Sequence, residues 1–227
     1  MKSVMRRARG VVGAVGVLGM LGALGGCNLA GAAYTVLHGP ERTDAKYELD
    51  STKSTVVFVD DMTNVLPSRS LRSEISTAVE RDLLDRGLVA DMIDHRAVMS
   101  VTNKDRYGTP MSVSDVGKAV GADIVIYVQV TGFALSADGV SASPVGAARM
   151  KVIDVKGKKR LWPVTASEGD VRVQMRQGQG TVPTTITEQN AMFQKLALEF
   201  GKGIAQAFYE HENQNKAGRG GPTVSGS

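Results

Sequence analysis

The sequence predicts an α/β fold of order β-α-β-α-β-β-β-α, a single domain with helices packed on a mixed sheet. Three observations carry that expectation. Thr55-Val56-Val57-Phe58-Val59 and Ile124-Val125-Ile126-Tyr127-Val128-Gln129-Val130 are β-branched apolar runs, the pattern of strands buried on both faces. Between them, Leu71, Ile75, Val79 and Leu83 recur at steps of four, the stripe of a core-facing helix. After them, residues 147–155 and 160–164 alternate or run apolar on either side of Lys156-Gly157-Lys158, a hairpin signal.

Each element follows from local chemistry. Lys46-Tyr47-Glu48-Leu49 reads as a short strand. The run at 55–59 ends in Asp60-Asp61-Met62-Thr63-Asn64, a polar turn. The first helix spans about 70–86, with Ser68 or Ser70 as its cap and Gly87 as a left-handed stop. Residues 88–94 read as a second strand and 95–101 as a short helix. Ser112 or Ser114 caps the next helix, which Gly121 ends. The segment 124–130 is the strongest strand and takes a central place. Asp170-Val171-Arg172-Val173-Gln174-Met175 alternates as a further strand. Thr185 and Glu188 form a capping box for a last helix over about 187–210, with Phe193, Leu196, Phe200, Ile204 and Phe208 on its apolar face.

The N-terminus has a different logic. Lys2, Arg6, Arg7 and Arg9 precede an uncharged run rich in Val, Leu, Gly and Ala. The run closes on Leu24-Gly25-Gly26-Cys27, which holds the only cysteine of the 227 residues. A basic start, an apolar middle and small residues before the cut are the order of a bacterial export signal. With cysteine after the cut it reads as a lipobox. Residues 1–26 are then a signal peptide, and the Cys27 thiol takes the lipid. The rest divides into 27–52 as tether and linker, 53–210 as the folded domain and 211–227 as a disordered tail. Several acyl chains, at about 0.8 kcal/mol per buried methylene, hold such a protein stably on a membrane. Asn28, in place of an aspartate, resembles the outer-membrane sorting class.

Charge narrows the function. The four basic residues of the signal account for the whole net charge of +4, leaving 23 basic and 23 acidic residues in the mature chain. Aromatics make up 5% of the sequence. Neither a phosphate-gripping basic face nor a base-stacking platform is expected, so no nucleic-acid partner is assigned. A single cysteine forms no internal disulfide.

Candidate chemical groups are few. His38 lacks a neighbour at metal-ligand spacing, so no metal site is assigned. Gly178-Gln179-Gly180 is not followed by the Gly-Lys-Ser/Thr of a phosphate loop, so no cofactor is assigned. Asp60, Asp61, Asp94 and His95 are the residues an enzyme would use. No triad, metal motif or cofactor loop joins them, and the expectation is a non-enzymatic protein. Asp94 and His95, adjacent on a strand, are expected to point apart. Trp162 is expected to pack in the core or at the sheet edge rather than to serve as a ligand platform.

Three segments carry a family resemblance. Val56 to Asn64, Gly87-Leu88-Val89, and Val116-Gly117-Lys118-Ala119-Val120-Gly121-Ala122-Asp123-Ile124-Val125-Ile126 resemble the periplasmic lipoprotein domains of CsgG and LpoB type, whose fold is shared by the amino-terminal domain of TolB. The hairpin with Leu161-Trp162 is similar to their later hairpin. The resemblance covers about 54–165 and includes no catalytic signature. It implies an envelope accessory lipoprotein that binds a protein partner, such as an activator of a peptidoglycan synthase. The alternative is a subunit of an outer-membrane secretion or transport assembly. The long alternating membrane hairpins of a pore are not found, since residues 171–186 are too short and too charged.

Overall fold

A computed structural model describes residues 42–104, 111–175, 181–212 and 223–224. The signal, Cys27, His38 and the loop at 178–180 lie outside the described residues. The compact unit begins at Arg42. Its strands are β1 (Arg42–Thr43), β2 (Thr55–Asp60), β3 (Met92–Ile93), β4 (Ile124–Ala134), β5 (Val145–Asp154), β6 (Lys159–Trp162), β7 (Asp170–Gln174), β8 (His211–Glu212) and β9 (Thr223–Val224). Its α-helices are α1 (Ser70–Asp85), α2 (His95–Lys104), α3 (Val113–Val120) and α4 (Ile186–Ala205).

The main sheet runs β3-β2-β4-β5-β7-β9, and β6 also pairs with β5. The two pairings of β2, with β3 and with β4, are parallel, and those of β5 are antiparallel. The sheet is therefore mixed, as expected. β4 is flanked on both sides, and its first five residues are all buried, the position its apolar sequence predicts.

Alternation along the strands creates two cores. Val57, Val59, Ile126, Val128, Met150, Val152, Val171 and Val173 face α1 and α4. Val56, Val125, Tyr127 and Val155 face α2 and α3 through Val98 and Val116. The first core is made tight by glycine. A Cβ on Gly201 would lie 2.5 Å from the Ala78 Cβ and 2.8 Å from the Ile75 carbonyl oxygen, so α4 and α1 meet almost backbone to backbone. Trp162 is buried there between Tyr47 and Phe208.

Some local readings are corrected. Residues 46–49 form no strand. The Lys46 and Tyr47 amides both donate to the Ala207 carbonyl instead, while Tyr47 and Leu49 pack on the core. The strand read at 88–94 shrinks to Met92–Ile93. Arg69 is the α1 N-cap and has no capping side chain; Ser68 Oγ accepts from the Ser70 amide one position earlier. The β5–β6 hairpin turn forms as expected, with Lys158 at φ +49°. The Gly157 amide donates to Asp154 Oδ2. Gly87 and Gly121 do take the left-handed conformation after α1 and α3. Ser112 caps α3 and Thr185 caps α4.

Candidate functional site

The second face of the sheet is covered over only part of its area. Cross-strand registers lay out its rows. Phe58 pairs with Tyr127 and Tyr127 with Lys151; Asp60 pairs with Gln129, Gln129 with Arg149 and Arg149 with Asp170; Ala147 pairs with Arg172. Arg149 and Arg172 are exposed, and Phe58, Asp60, Gln129 and Lys151 are half-buried. The side chains are bound to one another across the rows. Phe58 meets Tyr127 edge-on at 5.4 Å between ring centroids. Tyr127 Oη donates to Asp60 Oδ2 at 2.7 Å. Lys151 Nζ sits 5.8 Å from the Tyr127 ring centroid, and Arg149 pairs with Asp170 at 3.6 Å. Burial, then the hydrogen bond to Asp60, pushes the Tyr127 hydroxyl well above the usual phenol range.

At the carboxyl end of β2 the loop 61–66 borders this face. Its hinge is Asp61, 5% exposed, whose carboxylate accepts from the Val65 amide at 2.8 Å and the Leu66 amide at 3.2 Å. The Arg72 guanidinium lies 3.9 Å from the same carboxylate and donates to the Asp61 carbonyl. Asn64 takes φ +51° to close the turn, a conformation asparagine tolerates better than most residues. The loop therefore presents Met62 in a fixed place, 68% exposed, with its sulfur 3.9 Å from Gln129 Nε2. A large apolar side chain is thus held outward on a loop pinned by Asp61, at the border of the polar rows.

The four residues singled out for enzyme chemistry go to different places. Asp61 is a folding carboxylate, and Asp60 belongs to Tyr127. His95 is buried at the start of α2, at 4% exposure. Its Nδ1 lies 3.0 Å from Glu80 Oε2, and its Nε2 lies 2.6 Å from Ser73 Oγ. The His95 amide also donates to Glu80 Oε1. Asp94 does not point wholly away, since its Oδ1 is 3.6 Å from His95 Nδ1. It is exposed, however, and its Oδ1 accepts from the Arg96 amide as a helix cap does. Ser73 escaped the sequence reading, and Glu80, which the helical periodicity puts on the solvated face of α1, is 13% exposed and turned to His95 instead. Their spacing of seven puts both on one face of α1, which is the signal that could have found them. Among the described residues no group of three His, Cys, Asp or Glu could hold a metal ion. Among them, too, no helix is long and apolar enough to cross a membrane.

No family model matches the chain, and no curated protein matches it. Solved structures do. The chain is similar to a PelC dodecamer from Paraburkholderia phytofirmans at 14% identity and a TM-score of 0.37, covering 74% of this chain and 96% of that one. It is similar to the lipoprotein GNA1162 from Neisseria meningitidis at 11% identity and a TM-score of 0.36, covering 66% and 98%. It is similar to the LpoB carboxy-terminal domain from Escherichia coli at 16% identity and a TM-score of 0.32, covering 56% and 85%. An LpoB domain, of the group the sequence segments resemble, is thus among the structural neighbours.

Proposed function

We propose that this protein is a lipoprotein anchored through Cys27 on the periplasmic face of the outer membrane, where it binds another envelope protein as an accessory factor. The observation that carries the reading is Leu24-Gly25-Gly26-Cys27, the one cysteine of the chain, placed where a charged start and an apolar run end. Behind it stands an α/β domain whose second sheet face is part open, with Met62 held outward at its border. The role rests on binding rather than on turnover of a substrate. The partner class is an enzyme of envelope assembly, with activation of a peptidoglycan synthase as the working case.

The test is Cys27→Ser. Labelled palmitate should enter the native chain and not the variant, and the variant should move from the membrane pellet to the soluble periplasmic fraction. A variant that stays in the membrane with residues 1–26 intact would point to an uncleaved anchor instead. The mass of the detergent-extracted protein separates the accessory reading from a transport subunit, because a stable ring of many copies would favour the latter.

A further inference from the structure

We infer that Ser73 is an activated nucleophile that accepts the acyl group of a carboxylic ester. The inference goes beyond the binding role and does not depend on it.

Three side chains from two helices are arranged in sequence. Ser73 Oγ is 2.6 Å from His95 Nε2, and His95 Nδ1 is 3.0 Å from Glu80 Oε2 and 3.2 Å from Glu80 Oε1. A hydroxyl, an imidazole and a carboxylate in this order meet the geometric requirement of an assisted serine: nucleophile to base, base to orienting group. The carboxylate fixes the tautomer. With Nδ1–H donated to Glu80, the Nε2 lone pair faces the Ser73 hydroxyl proton. The ring is also held from below, because Glu80 Oε1 accepts from the His95 amide at 3.0 Å. The base is shielded from water at 4% exposure, while Ser73 is only half-buried.

The step balances. Ser73 Oγ bonds to the carbonyl carbon as its proton passes to His95 Nε2. The ester C–O bond then breaks, and the leaving alkoxide takes that proton. The product is an acyl-serine and a free alcohol. Glu80 acts as a positioning residue through His95.

The test uses the full-length protein extracted in detergent and a fluorophosphonate probe. The probe reacts in the same sense: the Oγ–P bond forms, the P–F bond breaks and fluoride leaves with the proton. Peptide mass spectrometry should place one adduct on Ser73, absent in Ser73→Ala. His95→Gln, folded by circular dichroism, should label about a hundredfold more slowly, in line with the loss of a general base. Glu80→Gln should slow labelling less. If His95→Gln does not fold, Glu80→Gln and the native pH profile of labelling decide. No Ser73 adduct on the folded native protein, or equal labelling rates with and without the His95–Glu80 pair, would overturn the proposal and leave the trio as a clasp between α1 and α2.

Discussion

The two faces of the main sheet are made by the same strands and differ in what covers them. On one face, Val57, Ile126, Met150 and Val173 meet α1 and α4 in a continuous apolar layer, closed by Phe200 and Ile204. On the other, α2 and α3 cover Val56, Val125 and Val155, while the rows through Asp60, Gln129 and Arg149 carry polar side chains that bond to one another. The first face explains why the chain folds. The second is the face to which the proposed binding surface belongs. A sheet that needed only to be stable would gain by burying both faces, so the polar rows and the exposed Met62 are the features that stability does not account for.

Breaking the closed face should cost most. Phe200 is fully buried, lies tilted against Phe133 and fills the space that Gly146 leaves open. Phe200→Ala should lower unfolding stability by about 4 kcal/mol in urea titration. A similar loss is not expected anywhere on the polar rows.

Asp61 links the two faces, since it sits at the end of β2 and shapes the loop that carries Met62. Asp61→Ala removes the acceptor of two amides and strands the Arg72 guanidinium. A loss of about 3 kcal/mol is expected from the same titration. Met62 should also lose its fixed position, which would show as new fast amide exchange confined to residues 61–66.

Tyr127 tests the open face more gently. Tyr127→Phe removes the bond to Asp60 and should cost about 1 kcal/mol at neutral pH. Its effect on alkaline stability has a definite sign. The folded hydroxyl ionises at higher pH than the free one, chiefly because it is buried. Between the unfolded value near 10 and the higher folded value, the unfolded chain therefore loses its proton first. Stability from this group is present below about pH 10 and falls as pH rises further. Tyr209, half-buried and donating to Asp82, behaves alike. Each Tyr→Phe change should flatten the alkaline part of a stability-against-pH curve, and a curve unchanged by both would contradict this assignment.

The closed face was legible in the sequence because it is written in periodicity. The four-residue steps of Leu71, Ile75, Val79 and Leu83, and the apolar run of β4, state which sides are buried. Caps were legible where a side chain makes them, as at Ser112 and Thr185, and not at Arg69, where none does. The open face and the Ser73–His95–Glu80 trio were not legible. They depend on register between strands 70 residues apart in the chain and on how α2 leaves the short β3. Asp60 and Asp61 show the difficulty plainly: neighbours of one residue type, one serves Tyr127 across the sheet and the other folds its own loop.

The most direct measurement is photo-crosslinking in intact cells, with a photoreactive residue at position 62 on the open side and, in a second strain, at position 198. Leu198 is exposed on α4, the helix that covers the closed face. The expected result is a discrete adduct with one envelope protein from position 62, none from position 198, and loss of the first when Cys27 is replaced by serine. Adducts of equal strength from both positions, or none from position 62 in a strain where the lipoprotein reaches the membrane, would contradict the assignment of the open face as the binding surface.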